Sequence, residues 1–109
     1  MLVISRSRGE SIMISDDLLL TVQEVRGGRV LISVTLPAAG GRLTFFEEAN
    51  RRWLVPDEVV TLREGVTCSL CETRNDIARF GLTVPEGVPV FRKEIYDAIK
   101  EMRGSGGAG

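Results

Sequence analysis

The chain repeats itself. Slid by 48 residues, so that Pro37 falls on Pro85, its two halves align without a gap: Glu10 falls on Glu58, Glu24 on Glu72, Arg26 on Arg74, Thr35 on Thr83 and Leu36 on Val84. Apolar positions coincide as well, Ile12 with Val60, Leu18 with Val66, Val30 with Ala78 and Ile32 with Phe80. Alternating patterns match by chance in half of all registers, whereas a long gapless match ending on proline does not arise that way. The chain therefore reads as a duplicated β-unit, either one compact domain or two very small units sharing a core.

Alternation of apolar and polar residues places the strands. Met1 to Arg8 carries Leu2, Ile4, Arg6 and Arg8 on one parity and Val3, Ser5 and Ser7 on the other, followed by a turn at Gly9-Glu10. Ser11 to Ser15, Leu18 to Val25 and Arg29 to Leu36 read as three further strands, with Gly27-Gly28 as a tight hairpin turn and Pro37 as the stop. Past a small loop at Ala38 to Gly41 and a short extended piece at Arg42 to Thr44, Phe45 to Trp53 reads as a helix. Its support is the Glu47-Glu48 to Arg51-Arg52 charge spacing. Glu58 to Arg63, Val66 to Glu72 and Ile77 to Val84 then repeat the strand pattern. On this reading the residues that would repeat the first strand, Asn50 to Pro56, are taken by the helix end, and the second copy has no opening strand. The units run over about 1-54 and 55-103, and Gly104 to Gly109 reads as a disordered tail of Gly, Ser and Ala.

Pro85 to Ile99 is a short extended segment turning directly into a helix, with Arg92 at the junction. Pro89 excludes a central sheet position and points to an edge strand. Ile95, Ala98, Ile99 and Met102 recur at helical spacing, which predicts one buried helix face. A guanidinium beside free strand-edge groups can hold a phosphate or a base.

A formal net charge of -1 excludes a globally basic nucleic-acid binder and confines any such site to a local patch. No apolar run approaches the roughly 18 residues of a membrane span, and the chain reads as cytoplasmic without a membrane partner. Cys68 and Cys71 form a lone C-x-x-C in a chain without histidine, too few ligands for a zinc site, so no metal or cofactor is expected. With no histidine, nucleophile elbow or phosphate-loop glycine spacing, an enzyme is not expected. Asp16-Asp17 and Glu47-Glu48 read as solvated acids, and Trp53 with Phe45 and Phe46 as core aromatics.

Met1-Leu-Val-Ile-Ser-Arg6, Gly9-Glu10, Met13-Ile14, Asp16, Thr21-Val22, Val25, Gly27, Ile32, Val34 and Pro37, with Val88-Pro-Val-Phe-Arg92-Lys-Glu-Ile-Tyr96, resemble the carbon storage regulator (CsrA/RsmA) family of bacterial translational regulators. The first copy resembles it through Pro37 and the second through Tyr96. The resemblance implies a mainly β fold of two interlocked antiparallel sheets, related by a pseudo-twofold here, with two short helices. Each sheet takes its middle strands from one unit and its outer first and fifth strands from the other. It implies RNA as the partner, a single-stranded GGA in a hairpin loop of an mRNA leader, lying against the first strand of one unit and the fifth of the other. The matching residues are Leu2, Ile4, Ser5, Arg6 and Arg8 at the first strand, and Pro85, Val88, Val90, Arg92 and Lys93 at the fifth.

Two departures fall on one composite site: the second copy's opening strand is absent on the reading above, and the place of Arg92 is taken in the first copy by Thr44 or Phe46. The expectation is a monomeric pseudo-dimer with one RNA site kept and one lost, and with Arg6 and Arg92 on one surface. The alternative is a protein-interaction or decoy module of the same fold, its sheet edge left bare by the absent strand and open to a protein partner or antagonist.

Overall fold

The structure, a computed structural model, describes residues 1–35 and 51–108, and the side chains of 1–35 and 51–102. Nine strands and one helix follow in chain order: β1 (Leu2–Ser7), β2 (Ser11–Ile14), β3 (Leu18–Arg26), β4 (Arg29–Thr35), β5 (Arg51–Leu54), β6 (Val59–Arg63), β7 (Val66–Arg74), β8 (Ile77–Thr83), β9 (Val90–Arg92) and α1 (Lys93–Ala108). They form two antiparallel sheets. One has the order β1-β8-β7-β6 and the other β5-β4-β3-β2-β9.

This order interlocks the two halves. The first strand of the chain joins the sheet built from the second half, and β9 joins the sheet built from the first half. The alternation seen in the sequence decides what fills the space between the sheets, because successive strand residues point to opposite faces. Ile12, Ile14, Leu18, Leu20, Val22, Val30, Ile32, Val34 and Leu54 from one sheet meet Ile4, Val60, Leu62, Val66, Cys68, Leu70, Ala78, Phe80 and Leu82 from the other in a single core. Phe80 is its largest fully buried side chain.

Strand pairings recur at the offset of 48. Thr21 lies opposite Ser33 and Val22 opposite Ile32, as Ser69 lies opposite Gly81 and Leu70 opposite Phe80. A bulge interrupts β3 between Val22 and Glu24, and another interrupts β7 between Leu70 and Glu72. The turn after β3 uses Gly27 and Gly28 at φ 59° and 78°, the two positive values a type I′ hairpin requires. In the matching turn after β7, Asn75 takes φ 56°, a conformation that asparagine tolerates.

The same comparison corrects the expectation of an absent strand. Arg51, Arg52, Trp53 and Leu54 are not the end of a helix: they form β5, with Arg52 opposite Ile32 and Leu54 opposite Val30. Ile4 opposite Phe80 and Arg6 opposite Ala78 on β1 are the same pairings shifted by 48. The opening strand of the second half is therefore present. Helical charge spacing was outcompeted by the hydrogen-bonding edge of β4, since a strand's stability comes from its neighbours more than from its own propensity. The bare edge that favoured an interaction module is covered. The loop at 38–41, the extended piece at 42–44, helix positions 45–50 and the Thr44 and Phe46 counterparts of Arg92 lie outside the described residues, and α1 is the one helix among them.

Two expectations about α1 also change. Its range extends to Ala108, into the stretch read as a disordered tail, because a nucleated helix gains one hydrogen bond for each residue added. Its apolar stripe is not a buried face: Ile95 is 47% exposed and Met102 74%. The helix sits at the end of a sheet and touches it through its first turns. There Tyr96 donates to Asp16 Oδ1 at 2.8 Å, and Tyr96 and Ile99 line a small recess with Pro89 and Phe91. No helix among the described residues is long and apolar enough to cross a membrane.

Candidate nucleic-acid interface

β1 and β9 end their respective sheets, and the interlocked order brings these two ends of the chain to the same side of the molecule. Between them lies a cavity of about 410 Å³, lined by Val3 and Ser5 of β1, Glu72 and Arg74 of β7, Ile77 and Arg79 of β8, and Arg92 of β9. Val3 and Ser5 face it because odd-numbered residues of β1 point outward while Ile4 and Arg6 point into the core. The cavity is mainly cationic. Arg79 shares Glu72 at 3.5 Å, whereas Arg74 and Arg92 make no ion pair among the described residues.

Arg6 and Arg92 are therefore not on one surface. The Arg6 side chain is only 6% exposed and lies on the inner side of β1, where its guanidinium donates to both carboxylate oxygens of Glu94, at 2.7 and 2.9 Å. It also donates to the carbonyls of Ser5 at 3.1 Å and Ser11 at 3.2 Å. A buried guanidinium must be paired, and this one ties β1 to β2 and to the first turn of α1. Arg6 is thus a strut behind the site, and the parity of the strand excludes it from the cavity.

The other expected site residues divide in the same way. Ile4 is in the core, and Val88 and Val90 pack against it. Leu2, Arg8 and Pro85 are exposed, with the Arg8 N–H donating to the Asp76 carbonyl at 3.1 Å. Lys93 pairs with Asp97 at 2.5 Å, one helical turn on. Ser5 and Arg92 are the expected residues that line the cavity, while Val3, Arg74, Arg79, Glu72 and Ile77 went unrecognised in the sequence. Arg74 ends β7 and Arg79 lies on β8, the strand that pairs with β1, so both belong to the hairpin beside β1.

The Arg6 hydrogen bonds hold the Glu94 carboxyl at about 2, well below its ordinary value of 4.5, with the helix backbone and Arg92 acting in the same direction. A depressed carboxyl stabilises the folded state fully above pH 4.5, and that contribution is lost as pH falls toward about 2. The melting temperature is expected to drop across this window, and to drop less in Glu94→Gln. Melts at a series of pH values check this. In contrast, burial pushes the Cys68 thiol up to about 12, which leaves it protonated and unreactive at neutral pH.

A family model described as the CsrA global regulator protein family matches residues 1–39. A translational regulator CsrA from Nocardioides sp. is 37% identical over 65 residues, which cover 55% of this chain and 78% of that relative. The chain belongs to the CsrA family. A translational regulator CsrA from Rhodopirellula baltica is 46% identical over 44 residues, 40% of this chain and 63% of its own length. Another from Lachnospira eligens is 30% identical over 43 residues, 39% and 59% of the two chains. The chain thus spans about six-tenths of the length of these last two CsrA relatives. No solved structure matches it.

Proposed function

We propose that the chain is a post-transcriptional regulator that holds a single-stranded GGA, presented in an mRNA hairpin loop, in the cavity between β1 and β9, and so modulates translation. The observation that carries this reading is the placement of Arg92 in one cavity with Val3 and Ser5, although these residues lie at opposite ends of the chain. Three guanidiniums in that cavity can neutralise phosphate or stack and hydrogen-bond a base. β1 has a neighbour, β8, on one side only among the described residues, so half of its backbone N–H and C=O groups are free of the ladder. Those groups can read the edges of splayed bases, the means by which a protein of low net charge recognises a loop. On this reading Val3 and Ser5 present the free backbone of β1, while Leu2, Ile4 and Arg6 hold it on β8, the Arg8 N–H to Asp76 carbonyl bond placing the even-numbered residues on the ladder side. Val88 and Val90 seat β9, and Pro85, Arg8 and Lys93 do not line the cavity.

The reading is tested by titrating a GGA hairpin and the same hairpin with CCA in its loop. The GGA hairpin binds more tightly, and its affinity falls as salt rises. Absence of binding at low salt would overturn the assignment.

The recurrence of the β3–β4 register in β7–β8, and of the β1–β8 register in β5–β4, at the offset of 48 supports a duplication in which one chain supplies both units of an interlocked pair. Solution mass is then that of a single chain. An obligate dimer exchanging β1 or β9 would contradict this.

A further inference from the structure

The position that matches Ser5 in the other sheet is Trp53, and the position that matches Val3 is Arg51. Both are on β5, at the end of its sheet, and both point outward, because Leu54 between the sheets sets the parity of the strand. Arg51 is exposed and Trp53 half-buried. The Arg29 guanidinium, on the neighbouring strand β4, lies 4.7 Å from the centre of the Trp53 ring. Arg26 stands opposite Arg29 across the β3–β4 turn, with its side chain 69% exposed and paired to Glu24. Where the first sheet offers a cavity with a hydroxyl, the second offers an indole stacked with a guanidinium and flanked by two more arginines.

We propose that this edge of β4 and β5 is a second, chemically different contact for single-stranded RNA, in which a base extends the stack of Trp53 and Arg29 and the backbone is neutralised by Arg51 and Arg26. The argument is geometric. A Trp on the outer parity of an end strand cannot reach the core that Leu54 fills, and its partner is a cation, so the pair presents a flat π surface in a positive field. Bases stack on aromatic rings and on guanidinium planes alike, and every base has a π face. Unlike the β1 and β9 cavity, such a platform is tolerant of sequence. It extends the RNA-binding reading to a surface whose chemistry that reading does not need.

Trp53 is the single tryptophan of the chain, so its emission reports this surface directly. The full chain is titrated with a short oligoadenylate, read by emission and by the anisotropy of a labelled oligomer. The oligomer quenches Trp53 in the wild type and equally in Arg92→Ala. Trp53→Leu and Arg29→Ala each weaken binding about tenfold, within the range for loss of one stacked base, and Arg51→Ala weakens it less. Melts of each variant separate loss of folding from loss of contact. Emission unchanged at saturation, equal binding by Trp53→Leu, or equal quenching by heparin, which has charge and no bases, would overturn the proposal. Quenching by oligoadenylate with no binding of the GGA hairpin would instead remove the cavity assignment and leave this one standing.

Discussion

Arg92→Ala is expected to weaken binding of a GGA hairpin by about thirtyfold or more, the equivalent of about 2 kcal/mol for a central arginine of an interface. Three features of the structure set this size. Arg92 ends β9, the short strand that Val90, packed against the core, holds in place; its guanidinium lines the cavity; and it makes no ion pair among the described residues that would have to break before it binds. Arg92→Lys keeps the charge and loses the planar fork, so its affinity falls between wild type and alanine. If Arg92 contacts a phosphate, the slope of log affinity against log salt falls by about 0.7 in the alanine variant, as for loss of one contact to a single strand. Arg79→Ala has the smaller effect, because Arg79 already shares Glu72. Thr44→Ala and Phe46→Ala, at the matching place in the first half, leave affinity unchanged. Equal losses at Arg92 and at these two positions would contradict a site built on β1 and β9.

Arg6→Ala is expected to act on stability. It removes a guanidinium that bonds Glu94 twice and two backbone carbonyls, on the core side of β1. Hydrogen bonds to charged groups contribute about 1.5–3 kcal/mol each when considered singly, and they are not additive here, so a total loss of about 2–4 kcal/mol is expected. For a domain of this size that lowers the melting temperature by about 10 °C or more. At a temperature where the variant remains folded, its affinity for the hairpin falls less than that of Arg92→Ala, since Arg6 does not line the cavity. Calorimetry together with a low-temperature titration separates the two roles. A variant as stable as wild type with abolished binding would place Arg6 at the RNA after all.

The two arginines show how a first strand keeps a cation while changing its position. In β1 the inward residues are Ile4 and Arg6; in β5 the matching residues are Arg52 and Leu54. Arg52 pairs with Glu58 at 2.6 Å, and Glu58 matches Glu10, whose carboxylate lies 3.7 Å from Arg6. The repeated glutamate was visible in the sequence as a coincidence. Its reason, a partner for the inward arginine on the opening strand of each half, required the structure.

Periodicity made eight of the nine strands among the described residues legible, because a strand that buries one face must alternate. It failed at β5, a four-residue strand whose charges also satisfy helical spacing. It failed again on the exposed stripe of α1, where amphipathic spacing says that a face could be buried and not that anything covers it. The site was half legible. The resemblance pointed to the first and fifth strands and to Arg92, but the face of β1 that meets the cavity depends on which parity the core takes, and Arg6 sits on the core side with Ile4.

The sequence by itself carried the 48-residue recurrence, the family likeness and the position of Arg92 at a strand-to-helix junction, since these rest on residue identity and on periods that a chain carries wherever it folds. Only the tertiary structure decided that β5 exists, that Arg6 is a strut, that Arg74 and Arg79 complete the cavity, and that Trp53 stands outside the core. Each of those depends on the neighbour supplied by a distant strand, and hydrogen-bond ladders and burial are properties of such pairs.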